Sequence, residues 1–195
     1  MKLSSAMFWA AFGLAMTAST PAFAHLDPLE HGSFAAGLSH PLFGLDHILA
    51  MVGVGLWGGI LGGRAIWAVP MAFVLTMLVG FAAAMADIGL PLVEPVIAAS
   101  VVVLGLLALV AARAPTPLAM ALVGAFALFH GHAHGGELGE AGALAFMGGF
   151  AVSTALLHAT GIAIGLGAER FGGRLATRLA GGLVTLGGLW IMVGT

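Results

Sequence analysis

The segment 129–137, FHGHAHGGE, contains three histidines and a glutamate. It closes an apolar run long enough to cross a bilayer, in a chain of which only 7% of the residues are charged. Ionisable side chains are costly in such a run and usually serve a function there. Because imidazole and carboxylate groups are ligands for divalent transition metals, the segment indicates metal handling inside a membrane.

The spacing within this segment suits a helix that offers two imidazoles to one metal. His130 and His134 are four residues apart and therefore lie on the same helical face. Glu137 follows three residues later and joins that face if the helix continues through residues 135 and 136. His132 points away, so it would orient a neighbour or bind a metal separately. A histidine-rich surface loop is the alternative interpretation, and the preceding apolar run argues against it.

A second cluster, HPLFGLDH at residues 40–47, opens the first apolar run after the N-terminal region. Asp46 would cost about 2.5–3.5 kcal/mol near the bilayer centre, so it needs a partner, a cavity or a cation. His40 and His47 would lie about 10 Å apart along the axis of a regular helix. They can share one ion only if the chain unwinds at residues 41–44; otherwise they form successive sites. A structural hydrogen-bonded pair between helices is the alternative role for Asp46 and His47.

Three more histidines are secondary candidates for metal binding. His158 lies late in the fifth apolar run and is either a structural group or a second metal station on a route across the membrane. His25 would become the N-terminal residue if a leader were cleaved after Ala24. Its α-amine and imidazole could then chelate an ion, with His31 close by. A solvated tail without this role is the alternative.

Composition fixes the class of protein that must position these groups. The chain has 195 residues, of which 61% are hydrophobic, and a mean hydropathy of +1.11. Soluble domains have about 45–50% apolar residues and about 25% charged residues. The composition therefore predicts an integral membrane protein with one domain. There is no cysteine, so thiolate metal sites are excluded, and the net charge of −2 does not suggest a nucleic-acid partner.

The N-terminus has the pattern of a secretory signal peptide. Lys2 supplies a positive charge, residues 6–18 are apolar, and residues 22–24 (Ala-Phe-Ala) form a small-x-small cleavage site. The predicted division is a signal peptide at residues 1–24 and a membrane domain at residues 25–195. An uncleaved first helix is the alternative.

Six apolar runs follow, each with about the 20 residues that a helix needs to cross the hydrocarbon core. They lie at roughly residues 40–60, 65–85, 94–112, 118–136, 142–165 and 175–193. The predicted fold class is therefore an all-α membrane protein, with a six-helix transmembrane bundle after a cleavable signal peptide.

The arginines predict how this bundle is oriented. With the mature N-terminus outside, the first, third and fifth connections carry every arginine of the chain: Arg64, Arg113, Arg170, Arg174 and Arg178. Short cytoplasmic loops are enriched in basic residues, so these connections are expected in the cytoplasm and both mature termini outside it. Asp46, His47, His130 and His134 would then meet around one polar cavity in the outer half of the membrane, with Glu137 at its mouth.

Both clusters resemble the signature motifs of the HupE/UreJ family: His40-Pro-x-x-Gly-x-Asp46-His47 and Phe129-His-Gly-His-Ala-His-Gly-x-Glu137. The resemblance extends over nearly the whole chain. The family's motif residues correspond to His40, Asp46, His47, His130, His132, His134 and Glu137. The resemblance implies a nickel permease, with cobalt as a second substrate in some members, that serves maturation of hydrogenase or urease. It also implies a multi-pass protein of the bacterial inner membrane, which would place both mature termini in the periplasm.

The residues themselves do not single out the metal, because nitrogen and oxygen ligands suit Ni²⁺, Co²⁺, Zn²⁺ and Cu²⁺ alike. Nickel therefore rests on the resemblance. The prediction is a secondary transporter, not an enzyme, with no prosthetic group; Ni²⁺ is its substrate, with Co²⁺ or Zn²⁺ as further candidates. The metal ion and the bilayer are its expected partners, and no protein partner is indicated. The alternative is a membrane-embedded zinc hydrolase, although no His-Glu-x-x-His or Gly-x-Ser-x-Gly motif occurs.

Overall fold

The computed structural model describes residues 33–135 and 142–194, and within these ranges the fold is entirely helical, without a β-strand. The helices are α1 (Phe34–Ser39), α2 (Leu45–Leu61), α3 (Ala65–Met85), α4 (Val93–Leu109), α5 (Thr116–Gly135) and α6 (Ala143–Gly194), with a 3-10 turn at His40–Leu42. The expected all-α class is confirmed. The proposed signal peptide at residues 1–24, and the candidate residues His25, His31 and Glu137, lie outside the described residues.

The apolar helices make this a membrane protein, but their lengths are less even than the sequence predicts. Helices α3, α5 and α6 are each long and apolar enough to cross a bilayer, and Phe34–Leu42 together with α2 forms a fourth candidate span bent by 83°. Helix α4 has 17 residues, so it rises about 26 Å and falls short of the ~30 Å hydrocarbon core.

Helix α6 contains two of the six predicted spans. Its 52 residues are interrupted at Gly173, which has φ 65° and ψ −169°. This left-handed φ favours glycine and divides the helix into a first arm, residues 143–172, and a second arm, residues 174–194. The runs predicted at residues 142–165 and 175–193 thus lie mainly on opposite sides of the break.

Glycines bring the helices into direct backbone contact. A Cβ atom on Gly131 of α5 would overlap the carbonyl oxygen of Met77 on α3, and a Cβ on Gly55 of α2 would overlap the carbonyl oxygen of His158 on α6. Such close approach is how helices associate in lipid, where burial of apolar groups provides little driving force. The contact at Gly131 holds the neighbouring His130 against α3.

The two faces of α3 show how this bundle meets its surroundings. Phe73, Met77 and Phe81, at four-residue intervals, are buried against the other helices. Large apolar side chains on the opposite side are exposed, among them Met71 and Leu75. A helix that is apolar all round, with one face unburied, fits a bilayer as its solvent.

The arginines gather at one end of the bundle. Arg113 donates from Nη1 to the carbonyl oxygens of Ile60 (2.7 Å) and Leu61 (3.3 Å), which cap the C-terminus of α2. Arg64 precedes α3 at the same end, and Arg174 lies beside Arg113 in a common cleft. His40 and His47 lie at the start of α2, whereas Arg113 contacts its end, so this pair of histidines lies at the opposite end of the bundle.

Candidate metal centre

The turn between α1 and α2 brings His40 and His47 together. The chain forms one 3-10 turn at His40–Leu42, and Gly44 is extended with φ −98° and ψ 114° before α2 begins. The ring centroids of His40 and His47 are consequently only 6.4 Å apart, against an axial rise of about 10 Å in a regular helix. Of the two arrangements left open by the sequence, the chain adopts the unwound one.

Gly44 is required for the next contact. A Cβ atom at this position would lie 2.7 Å from Asp46 Oδ1 and 2.8 Å from His47 Nδ1. These two atoms are themselves 2.8 Å apart, so the carboxylate and the imidazole are joined within the first turn of α2. A side chain at residue 44 would displace this pair.

A chain of hydrogen bonds continues from this pair through His134 to His40. His47 Nε2 lies 2.5 Å from His134 Nε2, and His134 Nδ1 lies 3.1 Å from His40 Nε2. Because a carboxylate accepts, Asp46 fixes the proton of His47 on Nδ1 and leaves a lone pair on Nε2 when the ring is neutral. The same directionality then makes His134 donate from Nε2 to His47, and His40 donate from Nε2 to His134.

His130 stands beside this chain without joining it. Its side chain is fully buried, and neither ring nitrogen has a hydrogen-bond partner within residues 33–135 and 142–194. Its ring centroid is 5.4 Å from that of His47 and 5.5 Å from that of Phe73. A buried polar group without a partner is destabilising, and an ion bound next to His47 would give a nitrogen of His130 a partner.

The imidazoles are hydrogen-bonded to one another and are not spaced for a metal. Within the two described ranges, no three histidine, aspartate or glutamate side chains already form a metal-binding group. Metal–nitrogen bonds of about 2.0–2.1 Å put two ligand nitrogens roughly 3 Å or more apart. His47 and His134, at 2.5 Å between Nε2 atoms, must therefore separate by about half an ångström or more before both can bind one ion. The proton on His134 Nε2 must also move to the other ring nitrogen, since a neutral imidazole binds a metal through the nitrogen that has no proton.

The position of Asp46 suits orientation of His47 better than direct coordination. Its Oδ1 binds the ring nitrogen of His47 that faces away from His134. A carboxylate on the far nitrogen of a metal-binding imidazole fixes the ring's tautomer and direction and increases its basicity. The predicted meeting of Asp46, His47, His130 and His134 thus takes the form of three adjacent imidazoles with the carboxylate behind them.

Aromatic side chains, which the sequence did not predict, surround these imidazoles. Phe146 and Phe150 of α6 contact the histidines, with ring centroids 5.4 Å from His40 and 5.0 Å from His134, respectively. Their four-residue spacing in the fifth apolar run is the signal that could have identified them as one face. The expected polar cavity is instead a set of donors enclosed by apolar rings, which limit access of water.

The comparisons with known proteins identify the family of this chain. A family model described as HupE / UreJ protein matches residues 13–191. A relative called Protein HupE, from Rhizobium leguminosarum bv. viciae, is 48% identical over 176 residues, which covers 89% of this chain and 91% of the relative. The chain belongs to the HupE/UreJ family. The family assignment made from the two motifs is confirmed, and no solved structure matches significantly.

A second buried histidine of this HupE/UreJ protein whose ring nitrogens have no hydrogen-bond partner among the described residues lies deeper in the bundle. His158 on α6 is buried, and its two ring nitrogens are without a partner among the described residues. Its ring centroid is 5.0 Å from that of Phe73, which meets it edge-on and meets His130 in the same way. One phenylalanine therefore separates the two unpartnered imidazoles.

His132 is separate from the histidine cluster. Its Nε2 lies 2.7 Å from the carbonyl oxygen of Ile88, in the connection between α3 and α4. Because a carbonyl only accepts, Nε2 carries the proton, and the bond ties α5 to that connection. The sequence spacing places His132 away from the face that His130 and His134 share, and in this HupE/UreJ protein it contacts the backbone instead.

Proposed function

We propose that the protein is a secondary transporter that carries Ni²⁺ from the periplasm to the cytoplasm for the maturation of hydrogenase or urease. Membership of the HupE/UreJ family supports the choice of nickel, as the motif resemblance implies. The observation that carries the proposal is the arrangement of His47, His130 and His134, three buried or nearly buried imidazoles in contact at one end of a membrane bundle.

Binding at this cluster would require a change of tautomer and no net release of protons. The lone pairs of neutral imidazoles are the ligands, so the proton on His134 Nε2 would move to Nδ1, and His40 would turn from donor to acceptor in their shared hydrogen bond. The hydrogen bonds between the imidazoles compete with metal binding, which disfavours a permanently held ion. Neutral nitrogen ligands with one orienting carboxylate, Asp46, bind reversibly, whereas a closed thiolate cage holds its metal as part of the structure. Co²⁺ and Zn²⁺ are expected to compete because they accept the same ligands.

The route that we propose runs from the histidine cluster past Phe73 to His158. In the proposed topology six spans cross an inner membrane, the arginine end faces the cytoplasm, and both mature termini lie in the periplasm. The two arms of α6 and the shorter α4 then count as separate spans. His158 is the station nearer the cytoplasm, and Phe73 separates it from His130.

The N-terminal region completes the proposal. Cleavage of residues 1–24 would leave His25 and His31 in the periplasm, where they would capture ions at low concentration. Glu137 would stand at the outer mouth of the site. The protein is proposed to be a transporter without enzymatic activity or a prosthetic group.

Uptake by proteoliposomes tests the function. Purified protein in vesicles should accumulate radioactive nickel at a rate that saturates with concentration, and Co²⁺ and Zn²⁺ should reduce that rate. His134→Ala should lose uptake while the protein remains folded in the vesicle, and His132→Ala, outside the cluster, is the matched control. Equal uptake by vesicles with and without protein would refute the proposal. Metal-dependent hydrolysis of a lipid or peptide without uptake would indicate the zinc hydrolase instead.

Cysteine labelling tests the topology separately. Arg64→Cys and Glu94→Cys place thiols at opposite ends of the bundle in a chain that has no cysteine of its own. An impermeant thiol reagent added to intact cells should label only Glu94→Cys. Equal labelling of both, or of Arg64→Cys alone, would overturn the proposed orientation.

A further inference from the structure

A cleft of about 270 Å³ opens at the arginine end of the bundle, far from the histidine cluster. It lies between the end of α2, the end of α4 and the part of α6 around the break at Gly173. Among its lining side chains are three arginines and one acid: Arg113, Arg174, Arg178 and Glu169. Its volume is about nine times the 30 Å³ that one liquid water occupies, which accommodates a phosphate group and part of an ester substituent.

Among the described residues, no carboxylate forms an ion pair with the three arginines of this cleft, which outnumber its one acid. Within residues 33–135 and 142–194, the only ion pair is the one between His47 and Asp46. Glu169 therefore pairs with none of the three arginines there, and Arg113 directs Nη1 to two carbonyl oxygens. Three guanidinium groups around one cleft repel one another. An anion bound between them would offset this repulsion and accept charge-assisted hydrogen bonds from them.

Thr177 provides a second and independent indication of a ligand. Its side chain is buried in the wall of the cleft, and its hydroxyl has no hydrogen-bond partner among the residues described. Buried helical threonines usually bond the carbonyl four residues earlier, as Thr185 does to Gly181 at 3.0 Å. For Thr177 that carbonyl belongs to Gly173, whose non-helical backbone breaks the pattern.

The backbone break adds to the attraction for an anion. The second arm of α6 starts after Gly173, and Arg174 and Thr177 in its first turn line the cleft. The start of a helix carries partial positive charge and favours phosphate groups. Guanidinium groups, an unsatisfied hydroxyl and a helix start thus converge on one place.

The surface next to the cleft is apolar. Leu175 and Leu179 are exposed one turn apart on the same arm, beside Arg174 and Arg178, and Phe171 is 86% exposed. This stripe would accommodate an acyl chain running into the bilayer from a phosphate in the cleft. Basic pockets between membrane helices are known sites for anionic headgroups.

We propose that this cleft binds a phosphate group between Arg113, Arg174 and Arg178, with Thr177 donating a hydrogen bond to it. An anionic phospholipid of the adjacent leaflet is the source that the apolar stripe favours, and free phosphate is the other source of the same chemistry. The site is independent of metal binding, and a bound lipid would fix the break in α6 against the ends of α2 and α4.

Lipid retention by the full-length protein tests this site. Protein in mixed micelles with equal amounts of phosphatidylglycerol and phosphatidylcholine is examined by native mass spectrometry. The wild type should retain one phosphatidylglycerol in preference to phosphatidylcholine. The double variant Arg174→Gln/Arg178→Gln should bind it roughly tenfold or more weakly, because charge-assisted hydrogen bonds are lost. Arg64→Gln, at the same end but outside the cleft, is the matched control and should retain the lipid.

Titration with inorganic phosphate distinguishes the two sources. Saturable phosphate binding that Arg174→Gln/Arg178→Gln abolishes, without preference for phosphatidylglycerol, would support the site and assign it to soluble phosphate. Equal lipid retention by the wild type and the double variant, together with no binding of phosphate, would overturn the proposal. If the double variant does not fold, Thr177→Val and Arg178→Lys give the same comparison, since the first removes only the hydroxyl and the second retains charge without the planar donor fork.

Discussion

The two histidine regions of this protein differ in how their imidazoles are satisfied. Near the start of α2, His40, His134 and His47 are joined in a hydrogen-bonded chain that ends on Asp46. Deeper in the bundle, His158 meets only Phe73 among aromatic rings, and its nitrogens have no partner within the described residues. The first region can move its imidazole protons between ring nitrogens, and Asp46 fixes the direction of the His47 ring. The second offers one lone pair in apolar surroundings, which suits brief contact with a passing ion.

Replacing His130 should have the largest effect on nickel uptake while leaving the protein folded. His130→Leu keeps the approximate volume and removes a buried imidazole that has no hydrogen-bond partner in the described structure, so stability should be unchanged or higher. Nickel uptake should fall by more than the roughly 100-fold that loss of an outer-shell group can cause. Thermal unfolding and proteoliposome uptake measure the two effects. Loss of folded protein together with uptake would mean that His130 is structural.

Asp46→Asn should have the next largest effect. The amide keeps the shape of the carboxylate but removes the charge that holds the proton on His47 Nδ1, so nickel affinity should fall by roughly 10–100-fold. Equilibrium binding of nickel to purified protein measures this. A metal affinity equal to that of the wild type would show that the contact between Asp46 and His47 serves only the fold of the first turn of α2.

His158→Leu distinguishes a station on the route from a binding ligand. Affinity at the outer cluster should be unchanged, whereas the maximal uptake rate should fall up to roughly tenfold, the effect of one lost polar interaction of ordinary strength. Comparison of equilibrium binding with transport rate in the same preparation measures both. A parallel loss of affinity would place His158 in the same site as His130, and an unchanged rate would leave it a packing residue.

The smallest effect is expected for His132→Ala. This side chain contacts the carbonyl of Ile88 and lies apart from the cluster, so the change should lower stability by about 1 kcal/mol, as for one hydrogen bond, and leave nickel affinity nearly unaltered. Chemical unfolding and nickel binding provide the two readouts. A strong loss of affinity would show that His132 takes part in binding through its other nitrogen.

The sequence predicts the helices better than it predicts the surroundings of the site. Apolar runs of suitable length locate α3 at residues 65–85, the same bounds that the structure has. Residue spacing also predicts that His130 and His134 share a buried face, because that relation is local to one helix. The sequence leaves an unwound turn at residues 41–44 as one of two alternatives, because unwinding depends on which side chains His40 contacts in the folded protein.

Long-range packing accounts for what the sequence could not predict. Phe73, Phe146 and Phe150 lie on two different helices, and their contacts with the histidines depend on how α3, α5 and α6 cross. The side on which Asp46 approaches His47 likewise depends on the extended Gly44. The break of α6 at Gly173, by contrast, matches the gap between the runs predicted at residues 142–165 and 175–193, because a glycine pair between apolar runs is typical of a helix boundary.

The glycine contacts divide the bundle into two units that are each tightly joined. At Gly131 the backbones of α5 and α3 touch, so His134 and Phe73 belong to one unit; at Gly55 the backbones of α2 and α6 touch, so His47 and His158 belong to the other. The hydrogen bond between His47 and His134 crosses the seam between these units. Packed helices move by small sliding displacements, and a slide of about half an ångström along this seam would part the two nitrogens enough to admit an ion. Opening of the candidate metal site and motion of His158 relative to Phe73 would then be one and the same displacement.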